Sequence, residues 1–495
     1  MVRRADSVVP QHWRAFFSGA LLSLTRLVTG FVRIKYVARV LGTAGVGFLS
    51  QATQLQLLGI SIASLSMAVG LINRMGAIGA DLARERRLLS TAFTSQLTIG
   101  VVLVVCAIGF SRPLSIALFG ANALANSPIS SFDLLAVVFS VPLAVVASGY
   151  LEAVFFGAGR YDLYVRASIW ATLLGFVSTV VMITVWRLPG AFWSIFVSSA
   201  LLLAAFLTFV RRIRPLRHLF RLGFDPTEAN ALVRFSIAML VSGVFVPTAR
   251  LWVQRTVIGS LGIEANGLLQ VPFAITAYYT PFLTSALWGR LHPAVARVGA
   301  TPEGRHELTV ALRLTVGMAT AAIVSILFLK DILVPLAYSR AFLPATRLLP
   351  AQLLGDYCYF VALPFTVYAL GLSRLRIYLA AWLSYSGVAV IASLVLLPTI
   401  GLIGVPVGYG ISGALGAVVG LAWFISRREE GLLLTLAIVA GGFVLVVTQS
   451  ALAWYERFRL IQGAIFVATS VVAAVAIWRS RAQATAALSV FGDTP

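Results

Sequence analysis

Carboxylates are scarce in this sequence: 17 Asp and Glu stand against 38 Lys and Arg in 495 residues, a formal net charge of +21. Histidine occurs four times, as His12, His218, His292 and His306, none with a Cys, His or carboxylate at ligand spacing, so no metal site is expected. Cysteine occurs twice, as Cys106 and Cys358, in separate apolar segments without the spacing of a redox or metal pair; both read as free, buried thiols. There is no Gly-x-x-x-x-Gly-Lys-Ser/Thr loop, which argues against direct use of ATP, and no Asp-x-Asp or Ser/His/Asp constellation. The sequence therefore calls for no catalytic residue and no cofactor.

Also missing is any long polar stretch. Hydrophobic residues make up 59 % of the chain and charged residues 11 %, and the mean hydropathy is +0.94, values foreign to a soluble globular domain. The Arg residues are spread over many connections and form no single stripe, so the positive charge reflects topology and not nucleic acid.

Apolar runs predict spans near 15–38, 47–72, 89–111, 132–156, 167–186, 190–210, 232–258, 267–288, 308–329, 350–371, 377–397, 402–425, 431–454 and 460–478. The first lacks an Ala-x-Ala-like cleavage site and reads as a retained helix. With the N-terminus cytosolic, cytosolic connections hold about 23 Lys/Arg and the opposite side about 7, as the positive-inside rule requires. An even number of spans returns the C-terminus to the cytosol. The outer segments are short, the longest near 112–131 and 330–349.

The chain also repeats. RIKYVARVLGTAG at 33–45 lines up with RLWVQRTVIGSLG at 250–262, a shift of 217 that pairs Arg33 with Arg250. Similar shifts place PLSIALFG at 113–120 on ILVPLAYS at 332–339, and 190–212 on 401–428. The expected fold is thus an all-α polytopic membrane protein of about 14 helices. Its parts are an N-terminal six-helix lobe (1–221), a parallel repeat of it (222–430), and two further helices with a short cytosolic tail (431–495), the last two looking peripheral.

Charges inside spans are costly and default to functional candidates. If the first helix enters the hydrocarbon near Phe16, a rise of 1.5 Å per residue sets Arg26 about 15 Å deep and Arg33 about 25 Å deep. Those two share a helix face, whereas Lys35 and Arg39 look nearly the opposite way. Arg39 can simply reach the outer headgroups. In the seventh span Pro247 should break the backbone just before Arg250, with Arg255 further on, as suits a helix lining a cavity. Two carboxylates join these cations. Glu152 has Arg160 as an alternative structural partner, and Asp356 has Arg340 or Arg347. A cleft holding Arg26, Arg33, Lys35, Arg250 and Arg255 suits a phosphate-like anion, since guanidinium binds phosphate bidentately. Glu152 and Asp356 are the candidates for charge coupling or gating.

With these segments in hand, residues 15–428 resemble the Wzx-type O-antigen and enterobacterial-common-antigen (lipid III) translocases of the multidrug/oligosaccharidyl-lipid/polysaccharide superfamily. The resemblance rests on ARVLGTAGVGFLSQ at 38–51, LSIALFG at 114–120, RFSIAMLVSGVFVP at 234–247, HPAVARV at 292–298, QLLGDYCYF at 352–360 and SRLRIYLA at 373–380. It implies a V-shaped pair of six-helix lobes. It also implies a flippase, not an enzyme, that moves undecaprenyl-diphosphate-linked oligosaccharide from the cytosolic to the periplasmic leaflet of the inner membrane by alternating access. Membrane lipids, polysaccharide polymerase and chain-length proteins would be its partners. Within the resemblance Arg26, Lys35 and Arg255 match basic positions and Asp356 an acidic one, while the two extra spans depart from its twelve. The rival readings are an O-antigen polymerase or ligase, disfavoured by the short outer loops and the repeat, and a small-molecule exporter of the same superfamily.

Overall fold

In the lipid interior every backbone N–H and C=O must be satisfied within the chain, which leaves helices as the means for an apolar sequence of this kind to cross. The computed structural model describes residues 8–78, 81–213, 215–427, 431–453 and 458–472, and among these there is no strand. In chain order the helices are α1 (Val8–Ser64), α2 (Ala68–Ile78), α3 (Leu82–Gly109), α4 (Ser111–Phe119), α5 (Ala121–Ala125), α6 (Ser131–Ala144), α7 (Glu152–Gly157), α8 (Tyr161–Val210) and α9 (Leu216–Leu219). They continue as α10 (Pro226–Leu261), α11 (Ile263–Ala286), α12 (His292–Val298), α13 (Pro302–Ala337), α14 (Leu349–Gly371), α15 (Leu375–Ile400), α16 (Gly404–Ser426) and α17 (Leu432–Leu452), followed by α18 (Arg459–Val472). The chain divides into two compact units, residues 1–268 with 337–339, and 269–336 with 340–495.

The longest helices are hairpins of two spans, and the residue at each reversal explains where it falls. Gly42 breaks α1 at φ 66°, Gly262 separates α10 from α11 at φ 88°, and Gly401 ends α15 at φ 69°. All lie in the left-handed region that glycine enters without penalty. Arg187 breaks α8 at φ 52°, ψ −126°, conformational territory that a side chain rarely enters. Polar caps finish other ends: Asp81 accepts from Ala83 and Arg84 N–H at the start of α3. Ser130 and Asp133 form a reciprocal capping box on α6. The second predicted span is itself interrupted, because Leu65 and Ser66 take positive φ between α1 and α2.

Unit 1 is centred on aromatic side chains, among them Phe93, Tyr150, Phe155, Tyr164 and Phe206. Tyr150 is fully buried and its hydroxyl donates to the Leu219 carbonyl at 2.6 Å, tying the basic 211–225 connection to the helices above it. In unit 2, α14 and α16 approach through small residues: a Cβ on Gly355 would lie 2.7 Å from the Gly410 Cα, the close approach that membrane helices use in place of hydrophobic driving force.

Three expectations change. Cys358 is buried, but Cys106 is exposed, because it lies on the outward face of α3 with Val102 and Val105. Pro247 does not set the bend in α10; the helix turns by 60° between 226–234 and 239–261, and Pro247 sits inside the second limb. Nor is α17 peripheral. Arg313 donates to Thr435 Oγ1 and to the Gly431 carbonyl, each at 2.8 Å. The Tyr357 hydroxyl donates to the Val439 carbonyl at 2.6 Å. At α18, Phe466 stacks on Phe328 at 5.0 Å, and Arg459 reaches Asp331, which also holds the buried Lys330. The last predicted span is described as far as residue 472.

Candidate functional site

Within unit 2, Asp356 is 4 % exposed on α14, and its carboxylate accepts hydrogen bonds from uncharged donors. Thr276 Oγ1 and the Tyr279 hydroxyl, about one turn apart on α11, each reach Oδ2 at 2.5 Å, and Gln352 Nε2 reaches Oδ1 at 2.9 Å from one turn back on α14. Three donors of this kind satisfy the oxygens of a carboxyl group buried away from water. The sequence did not suggest this shell, which α11 and Gln352 of α14 supply. Alongside, α14, α15 and α16 border a half-open, uncharged cavity of about 400 Å³, lined in part by Tyr359, Phe365, Trp382 and Tyr385.

Unit 1 brings Arg26 and Glu152 together. The Tyr164 hydroxyl accepts from Arg26 Nη2 at 3.4 Å, and Glu152 lies near enough to feel both. Glu152 follows directly on a π-helical segment, 145–151, that opens after Pro142, a distortion frequent at functional sites. Arg160, the partner weighed for Glu152, instead forks onto Asp162 at 3.1 and 3.3 Å. That neighbour holds the Asp162 carboxyl below its usual range.

The other cations are spread along the same unit. Arg33 and Arg39 are exposed on α1, and Lys35 is partly covered. Arg250 is partly buried on α10. The Arg255 guanidinium packs at the chain reversal of Gly120, where a Cβ would meet Nη1 at 3.4 Å.

Two helices cross closely just after the breaks at Gly42 and Gly262. A Cβ on Gly267 would lie 1.9 Å from the Thr43 carbonyl oxygen, and one on Gly47 would lie 2.3 Å from that of Ile263. Each glycine thus faces the residue four before the other, a reciprocal pairing with a shift of 220. The two reversal glycines obey the same shift. The side-chain match at 217, which pairs Arg33 with Arg250, and this backbone shift of 220 pair different residues. At 220, Lys35 matches Arg255, and Arg33 matches Val253.

A cluster at the other end of the unit escaped the sequence reading. Glu228, largely buried at the start of α10, binds Arg74 and, at 3.2 Å, Arg84. Asp225, the cap of the same helix, faces Arg87 at 3.8 Å. The signal was present in Asp225-Pro226-Thr227-Glu228, a helix start with two acids in an otherwise basic connection.

Long apolar helices, with Glu228 buried in one unit and Asp356 in the other, define a polytopic membrane protein. Solved structures share the fold. The lipid II flippase MurJ in an inward closed conformation aligns with a TM-score of 0.68 at 14 % identity, covering 94 % of this chain and 99 % of that one. An inward-facing multidrug resistance MATE family transporter of the MOP superfamily aligns at 0.63 and 14 % identity, covering 83 % and 95 %. The chain belongs to the polysaccharide biosynthesis protein family, whose model matches residues 37–347. Among characterised relatives, the lipid III flippases of Escherichia coli (strain K12) and Shigella flexneri are each 22 % identical over 396 residues, 79 % of this chain and 92 % of theirs.

Proposed function

We propose that this protein is a flippase that carries a polyprenyl-diphosphate-linked oligosaccharide from the cytosolic to the periplasmic leaflet by alternating access. The observation that carries the reading is the match to the lipid III flippases over nearly their whole length. Membership of a polysaccharide biosynthesis family supports the cargo class. Cations within the spans supply what a diphosphate needs, charge that persists in a low-dielectric path.

In this reading Arg26, Arg33, Lys35, Arg250 and Arg255 hold the diphosphate at successive points. The 220-residue register supports Lys35 and Arg255 as an equivalent pair. Asp356 and Glu152 change partners as the cargo passes, Glu152 competing with phosphate for Arg26. Both termini lie in the cytosol of an inner-membrane protein, the six-helix lobes divide at the 211–225 connection, and polysaccharide polymerase and chain-length proteins take the product.

Reconstitution tests this. Proteoliposomes loaded with a fluorescent undecaprenyl-diphosphate oligosaccharide should move it between leaflets, and Arg26→Ala and Lys35→Ala should each slow that movement at least tenfold. Transport of cationic dyes without movement of the lipid-linked sugar would sink the proposal in favour of a small-molecule exporter.

A further inference from the structure

Around the Gly47 and Gly267 crossing, unit 1 buries side-chain amides whose hydrogen-bonding atoms go unused. Gln254 on α10 is 1 % exposed, and neither its Nε2 nor its Oε1 has a partner among the described residues. Gln51 is fully buried with Oε1 unpartnered, and Asn266 likewise leaves Oδ1 unpartnered. These residues are neighbours in the fold. Gln51 Nε2 donates to the Leu118 carbonyl at 3.2 Å and to the Leu251 carbonyl at 3.4 Å, and Gln254 lies one turn beyond Leu251 on the same face of α10. Asn266 Nδ2 donates to the Gly47 carbonyl at 2.9 Å and to Ser50 Oγ at 3.2 Å.

A buried amide without a partner opposes the conformation that buries it, and a leucine of similar size would fit this interior better. The arrangement makes sense if the same atoms face a polar environment in another conformation. The seam is built for such an exchange. Its helices meet at glycines, backbone against backbone at the closest point. The bonds across it come from side-chain amides, which can be broken without unwinding a helix. A carboxamide offers a donor and an acceptor on one group, as a sugar hydroxyl does.

We infer that Gln51, Gln254 and Asn266 are sugar-contacting residues of the transport path, stored in their closed state. When the Gly42/Gly262 end of the unit parts, they line the passage and bind hydroxyls of the oligosaccharide. When it closes, they are buried with their hydrogen-bonding capacity unspent. The inference rests on the flippase reading and adds to it the residues that meet the sugar, as distinct from the diphosphate.

The test uses the full chain in proteoliposomes with fluorescent undecaprenyl-diphosphate trisaccharide. Gln254→Leu should raise the thermal midpoint of the protein while slowing flipping at least tenfold; Gln254→Asn, which keeps the amide, should stay within about threefold of wild type. In a Cys106→Ala, Cys358→Ala background, Gln254→Cys should react with a membrane-impermeant maleimide at least fivefold faster while cargo is turning over. A Gln254→Leu protein that flips at the wild-type rate, or a reactivity at 254 indifferent to cargo, overturns the inference. Failure of the wild-type protein to flip would instead strike the proposed function itself.

Discussion

Gly47 and Gly267 each occupy the space that a side chain on the other helix would need, and they do so reciprocally, through Ile263 and Thr43. Any added carbon must displace backbone. Gly267→Ala and Gly47→Ala should each destabilise the protein by about 1–3 kcal/mol, the range for overpacking a close contact. Because they relieve or strain the same crossing, the double substitution should cost less than the sum. Thermal unfolding in detergent measures both, and additive losses would show that the two glycines act separately.

Arg187 takes a backbone conformation in which glycine is at home, and it performs the reversal that Gly401 performs in α15 and α16. The equivalence is close, since a Cβ on Gly190 would strike the Met182 carbonyl as one on Gly404 would strike the Leu396 carbonyl. Arg187→Gly should therefore stabilise the protein by about 1–2 kcal/mol. A fall in the thermal midpoint would mean that the Arg187 side chain makes a contact worth more than the strain.

Glu228 serves two arginines, Arg74 and Arg84, which are partly open to solvent. Glu228→Ala should cost about 1–2 kcal/mol, less than a fully buried pair because solvent screens both cations. Removing Arg74 in the Glu228→Ala background should cost little more, and a double-mutant cycle on denaturation midpoints reads the coupling directly.

Asp356 is held by Thr276, Tyr279 and Gln352. Asp356→Asn keeps the shape but turns an acceptor into a donor facing three donors, so the shell must rearrange at a cost of about 1–3 kcal/mol. We expect the variant to reach the membrane at near-normal level and to lose export of surface polysaccharide. Tyr279→Phe, which removes one of three donors, should lose less.

Gly442 faces the Tyr357 hydroxyl and Thr320 Oγ1, each 2.6 Å from where a Cβ would sit. Gly442→Val should lower the thermal midpoint and weaken transport in parallel, a pattern foreign to a dispensable appendage. Retained stability and transport would return α17 to the periphery.

Hydropathy alone made most of the fold legible. Span boundaries at 186 and 190, or at 397 and 402, fell on the reversals at Arg187 and Gly401, because an apolar run interrupted by Arg, Pro or Gly has few other ways to turn. The acidic residue in QLLGDYCYF stood out for the same reason, a lone carboxylate where lipid excludes charge. Its donors did not, since Thr276 and Tyr279 come from another helix and look ordinary in sequence. Matching Arg33 to Arg250 maximised likeness of side chains, while the positive φ at Gly42 and Gly262 lies 220 residues apart, a spacing that side chains do not show. The outward turn of Cys106 depended on helix rotation, which a uniformly apolar run leaves open.

Asp356 and Tyr357 are adjacent on α14, yet one looks toward α11 and the other reaches the backbone of α17. A single peptide unit thus joins the buried Asp356 to α17. Shortening the chain to twelve spans would do more than trim its rim; it would strip the Tyr357 hydroxyl of its Val439 acceptor and loosen the helix that carries Asp356.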